Sequence, residues 1–109
     1  MKMRKFGCLS ALLLLNLTEP MLAQATLPDA MVGQQLATRL CSSCHATDPG
    51  GAAVTRTDIP SFVSIARGPN ATAERLAGKI IIPHPAMPGI PLTRAELRDL
   101  IAYIMSLKS

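Results

Sequence analysis

The segment Cys41-Ser42-Ser43-Cys44-His45 limits what this chain can fold into more than any other feature. Near the end of a helix, its first, fourth and fifth positions fall on one face. Two sulfurs and an imidazole can then reach the same side of a flat ligand. Two thiols can add to the two vinyl groups of a haem as thioethers, while the imidazole binds the iron. The pattern therefore predicts one covalent haem c on Cys41 and Cys44, with His45 as an axial ligand.

Three other uses of paired cysteines fit the sequence less well. A redox-active Cys-x-x-Cys usually accompanies a β-α-β pattern, which is absent from this sequence. A disulfide between cysteines three residues apart closes a very small loop and returns little stability. A structural zinc site needs four ligands, and only His84 is left as a fourth candidate.

Residues 1–25 have the composition of a cleaved secretory signal peptide. Three cations precede an apolar run from Leu9 to Leu17, and Ala23-Gln24-Ala25 supplies a small-x-small cleavage pattern. The run is about half of the roughly 20 residues that a membrane-spanning helix needs. We therefore expect cleavage after Ala25, export to the periplasm and no permanent membrane anchor, with residues 26–109 forming one domain.

The expected mature domain has few bulky side chains of its own. Its 84 residues include only Phe62 and Tyr103 as aromatics, and no tryptophan. A domain of this size buries little surface and usually depends on a metal, disulfides or a cofactor. A haem would supply the missing bulk. Eight basic and six acidic side chains give a mature charge of +2, and no basic run interleaved with aromatics supports nucleic-acid binding.

Helical periodicity without strand alternation predicts an all-α fold. Asp29 is expected to cap a first helix over Ala30–Leu40, whose apolar residues fall roughly along one stripe: Val32, Leu36, Ala37 and Leu40. Thr93-Arg94-Ala95-Glu96 forms a capping box for a last helix, whose apolar residues recur at helical spacing up to Leu107.

The sequence between these two helices predicts two short helical segments and an extended stretch. Pro60–Ala66 indicates a helical turn or two, and Asn70 or Thr72 is expected to cap a short helix that ends at Gly78 or Lys79. Ile80–Pro91 contains four prolines and is therefore expected to be extended and stiff.

The sixth iron ligand must come from far along the chain. Met87 lies in His84-Pro85-Ala86-Met87-Pro88, where a rigid loop would hold a thioether against the iron. His84 is its rival, because a second imidazole also binds iron and gives a lower potential than the His and Met pair. We expect Met87, with His84 as the first alternative and an open sixth position as the second.

Taken together, these motifs resemble the small class I cytochromes c of bacteria over about Val32 to Leu107. The matching pieces are a glycine eight residues before the first cysteine, the haem motif, a Met-Pro pair and an apolar segment with an aromatic: Gly33, Cys41–His45, Met87-Pro88 and Leu100–Ile104. The resemblance implies that the first and last helices cross, with short helices and loops around one haem.

The resemblance also assigns further residues. In that family a glycine of the first helix packs against an aromatic of the last, and Gly33 and Tyr103 match those positions. Pro60 resembles the proline whose carbonyl binds the proximal imidazole, which would orient His45 and raise its basicity. No tryptophan is available for a haem propionate, and we expect Arg56 or Arg67 to serve instead.

The function implied is electron transport by a periplasmic carrier that is not an enzyme. It would dock transiently with redox partner proteins, such as a dehydrogenase or an oxidase. Two alternatives stay open. One is a haem-based sensor of small ligands, in which Met87 is displaceable. The other is a peroxidase-like enzyme with an open iron, for which His84 is the candidate base.

Overall fold

The computed structural model describes residues 26–50 and 58–109. The predicted signal peptide, residues 1–25, lies outside the described residues, as do residues 51–57. The described chain contains four helices and no strand, so the predicted all-α class is confirmed. None of these helices is long and apolar enough to cross a membrane. The helices are α1 (Ala30–Leu40), α2 (Phe62–Ala66), α3 (Ala73–Ile81) and α4 (Arg94–Ser106).

The first and last helices begin at the caps that the sequence indicates. The Asp29 side chain accepts hydrogen bonds from two backbone N–H groups of the first turn of α1, at 2.8 and 3.3 Å. At α4, the Thr93 N–H donates to the Glu96 carboxylate at 2.8 Å, and the Glu96 N–H donates to the Thr93 hydroxyl at 3.2 Å. These reciprocal bonds satisfy backbone donors that a helix start leaves unpaired.

Helices α1 and α4 cross at Gly33. A Cβ atom at this position would overlap the backbone oxygen of Asp99 and lie 2.8 Å from the Cβ of Tyr103. The crossing is reinforced at its edge, where the Asp29 N–H donates to the Asp99 carboxylate at 2.8 Å. The glycine inside α1 is therefore required by the close approach of the two helices, which offsets its poor helix propensity.

Tyr103 also ties this crossing to the loop that follows the haem motif. Its hydroxyl donates to the carbonyl of Thr47 at 2.8 Å and approaches the Asp48 carboxylate at 3.1 Å. From α1, the amide of Gln34 donates to the same carboxylate at 3.2 Å. Burial, and after it the hydrogen bond to Asp48, raises the pKa of Tyr103. The phenol therefore remains a donor well into the alkaline range.

The core is built on α4, which contacts each of the other three helices. Leu100, Ile101 and Ile104 of α4 are all less than one-tenth exposed. They pack in one cluster with buried residues of the other three helices and of the haem motif, namely Ala37, Cys41, Phe62, Ala66, Leu76 and Ile80. Val32, expected on the buried stripe of α1, is instead 39% exposed. The side of α1 that faces α4 is defined by Gly33, Leu36 and Ala37.

Helix α3 is capped by Thr72, whose hydroxyl accepts a hydrogen bond from the backbone N–H of Arg75 in the first turn. It then continues to Ile81, beyond the predicted end at Gly78 or Lys79 and into the stretch predicted to be extended. Two buried residues one turn apart, Leu76 and Ile80, hold this extra turn against the core. The helix ends where Ile82 becomes extended (φ −92°, ψ 111°), as the following proline requires.

The close approach of α1 and α4 predicts different effects of alanine at Gly33 and at Gly78. We expect Gly33→Ala to lower the free energy of unfolding of the haem-loaded protein by about 1–3 kcal/mol, because the added methyl group has no space. Gly78→Ala is the matched control in α3, where a Cβ would meet nothing within 4 Å. It should raise the free energy of unfolding by up to about 1 kcal/mol through helix propensity. Urea unfolding measures both, and equal effects of the two variants would contradict the close crossing.

The hydroxyl of Tyr103 makes a second prediction. Tyr103→Phe leaves the buried Thr47 carbonyl without its donor, and we expect a loss of about 1–3 kcal/mol at neutral pH. Because the folded pKa of Tyr103 lies above the ordinary value of 10.0, this stabilisation is complete below that pH and is lost as pH rises through the folded pKa. Urea unfolding from neutral to strongly alkaline pH should therefore show the gap between wild type and variant closing only at the alkaline end.

Candidate haem site

A cavity of about 500 Å³ lies between the haem motif, α2, α3, α4 and the proline-rich segment. This volume is within the usual range for small-molecule and cofactor pockets. Most of its lining is aliphatic or aromatic, from Leu40, Ile59, Phe62, Ile65, Leu76, Ile80, Ile90, Leu100 and Ile104. The chain thus encloses an apolar space next to its paired cysteines.

The haem motif begins where α1 ends. Cys41 is the C-terminal cap of α1, and its carbonyl accepts from the backbone N–H of both Cys44 (3.1 Å) and His45 (2.9 Å). This tight turn brings both thiols and the imidazole to the cavity wall. The two cysteines are not joined to each other by a disulfide. Burial, and after it the neighbouring Cys44, raises the pKa of the Cys41 thiol.

The ring of His45 is held by the loop before α2. Its Nδ1 lies 2.7 Å from the carbonyl oxygen of Pro60. A carbonyl can only accept, so Nδ1 must carry the proton, which leaves the lone pair of Nε2 available for a metal. The ring also packs against Phe62, with ring centres 5.3 Å apart. The Phe62 N–H donates to the Ala46 carbonyl at 2.9 Å, which fixes α2 to the residue after the histidine.

Another part of the wall is a tight turn from His84 to Met87. The Met87 N–H donates to the His84 carbonyl at 3.0 Å, and Ala86 has a φ of 71°. A proline at the second position of a four-residue turn and a positive φ at the third are the features of a type II turn. His84, Met87 and both intervening residues line the cavity that His45 also lines. The two alternatives for the sixth ligand therefore share one turn.

Among the described lining residues, two carry a full charge, Asp58 and Lys79. Arg56 and Arg67 are the residues that the sequence predicts for contact with a haem propionate. Arg67 does not line the cavity and donates to the Ser109 carbonyl at 3.1 Å, and Arg56 lies outside the described residues. Sequence reasoning missed Lys79, although its position three residues after Leu76 was a signal for the cavity side of α3.

The residues present fit a covalently attached haem. Two thiols stand beside an imidazole with a free Nε2, and the remaining walls are largely apolar. The Nδ1 of His84 is buried and has no hydrogen-bond partner among the described residues.

The chain is similar in sequence to known proteins. The family model described as cytochrome c matches residues 30–108. Cytochrome c-552 of Bradyrhizobium diazoefficiens is 46% identical over 86 residues, which cover 79% of this chain and 82% of the relative. No solved structure matches the chain.

The geometry of the motif predicts unequal effects for two neighbouring substitutions. Cys44→Ala removes one of the two sulfurs at the cavity wall, so we expect a large loss of haem-loaded protein after expression with the haem-attachment machinery. Ser43→Ala is the matched control, because it changes the adjacent residue without removing a thiol. The measurement is Soret absorbance per amount of exported protein. Wild-type yields of stable haem protein from Cys44→Ala would contradict attachment through that sulfur.

Proposed function

Because the chain belongs to the cytochrome c family, we propose that it carries single electrons between redox proteins of the periplasm, with its iron bound by His45 and Met87. Its cofactor is covalently bound haem c, and Cys41 and Cys44 fit the attachment motif of that family. The observation that carries the proposal is one apolar cavity lined by the haem motif and by Met87.

When bound, the haem supplies an iron that alternates between the ferric and ferrous states. The protein's contribution is to hold the ligands still. Pro60 fixes the imidazole of His45 through its carbonyl, and Pro85 and Pro88 restrict the backbone on either side of Met87. A thioether paired with an imidazole favours a higher potential than two imidazoles. If His45 and Met87 both held the iron, no position would remain for a substrate, as is expected of a carrier and not of an enzyme.

Docking with redox partners is proposed to be transient. Electron carriers typically use small interfaces around the cofactor. Ile81 and Ile82 are 62% and 66% exposed, and they directly follow Ile80 of the cavity lining. Exposed apolar side chains beside the site would favour such a contact. A dehydrogenase or an oxidase is the proposed class of partner.

Met87→Ala tests the proposed ligation. We expect the variant to keep its haem, to lose the far-red charge-transfer band of a bond between methionine sulfur and ferric iron, and to fall in potential on the order of 0.1–0.3 V, within the roughly 0.8 V that axial ligands span. Met31→Ala is the control, because Met31 is 74% exposed on α1. It should leave band and potential unchanged. Survival of the band in Met87→Ala would show that the sixth ligand is another residue.

Export is tested on the protein itself. We propose that residues 1–25 are a signal peptide, so the periplasmic fraction should contain a chain that begins at Thr26 and carries one haem. Intact-mass measurement with N-terminal sequencing checks both points. A haem protein that still begins at Met1 would contradict cleavage, and one confined to the cytoplasm would contradict export.

A further inference from the structure

We propose that His84 is a reserve iron ligand, which takes the sixth position whenever the thioether of Met87 leaves it. The inference rests on the proposed ligation by His45 and Met87 and goes beyond it, because it assigns both residues of the turn to the iron in two different states.

The turn places the two side chains on one side. His84 and Met87 pair as an isolated antiparallel bridge, closed by the 3.0 Å hydrogen bond from the Met87 N–H to the His84 carbonyl. Residues directly opposite each other in an antiparallel pair project from the same face. Both also line the haem cavity. A ligand that replaces Met87 therefore has to move only within this turn.

In the described part of the chain, the imidazole of His84 lacks a hydrogen-bond partner at one of its ring nitrogens. Its Nδ1 is buried and makes no hydrogen bond to any described residue. The other histidine of the site, His45, has its Nδ1 bound to Pro60 at 2.7 Å. Buried polar atoms normally have a hydrogen-bond partner, and without one the ring of His84 lacks the kind of contact that fixes the orientation of His45. Protein atoms cover Nδ1, so the ring nitrogen that would coordinate the iron is Nε2.

The backbone of the turn is strained in a way that keeps the two residues together. Ala86 has a φ of 71°, in the left-handed region that residues with a Cβ rarely adopt. Strained backbone of this kind is concentrated at ligand clamps and switch regions. Pro85 and Pro88 restrict the turn and its exit. The strained conformation costs stability but keeps the side chains of His84 and Met87 close together.

The exchange itself is balanced. The bond between the iron and the methionine sulfur breaks, and a bond between the iron and an unprotonated ring nitrogen of His84 forms. Each ligand donates one electron pair, so nothing is oxidised or reduced and no proton is released. The iron remains six-coordinate with two imidazoles, which lowers its potential and keeps small molecules from an open position. Loss of the thioether would thus switch off the carrier without exposing its iron.

The test compares haem-loaded Met87→Ala, His84→Ala and the double variant with the wild type. We expect His84→Ala to keep the far-red band, because Met87 is still bound. Met87→Ala should be low-spin in the ferric state. The double variant should be high-spin, and its ferrous form should bind carbon monoxide on the order of tenfold faster than that of Met87→Ala, because His84 no longer occupies the site. Added imidazole should return the double variant to low spin, which shows that its cavity is intact.

Two results would overturn the inference. One is a high-spin Met87→Ala that binds carbon monoxide as fast as the double variant, and the other is a double variant that stays low-spin without added imidazole. Failure of the proposed ligation has a different signature, since the far-red band would then persist in Met87→Ala or disappear in His84→Ala. If Met87→Ala does not accumulate, Met87→Leu preserves most of the side-chain volume and removes the donor sulfur, and the same comparisons apply.

Discussion

The fold depends on an interior space that its own side chains leave open. In the expected mature domain, the aromatic residues are Phe62 and Tyr103, and the partly open cavity of about 500 Å³ is lined by α2, α3, α4 and the haem motif. A chain of this size has little apolar surface to bury, so an unfilled space of that volume removes a large share of its cohesion. Haem c is therefore a structural element of the protein as well as its redox centre.

The helix crossing and the haem site are linked through short connections. Gly33 lets α1 approach α4, and Tyr103 at the same crossing holds Thr47, two residues after His45. The carbonyl of Pro60 accepts a hydrogen bond from Nδ1 of the His45 imidazole. The contact that closes the fold thus also limits where the imidazole of His45 can lie. This arrangement favours electron transfer, because a site that stays in place on oxidation and reduction needs little rearrangement of its ligands.

Features governed by local chemistry were predictable from the sequence. The caps at Asp29 and Thr93 and the start of the haem motif at the end of α1 follow from neighbouring residues. The end of α3 and the exposure of Val32 were not, because burial against α4 decides both. The prolines predicted a stiff segment before α4 but gave no sign of the turn within it. Its left-handed alanine has no signature in the sequence, since glycine or asparagine is the usual residue there.

The most direct test of the role of haem in the fold is far-UV circular dichroism of two forms of the mature chain, one matured with haem and one produced without the attachment machinery. The account predicts that the haem-loaded form is helical and melts in one cooperative transition, whereas the haem-free form loses most of its helical signal and shows no such transition. A haem-free chain with the same helical signal and the same melting temperature would contradict it, because the four helices would then hold together around an empty interior.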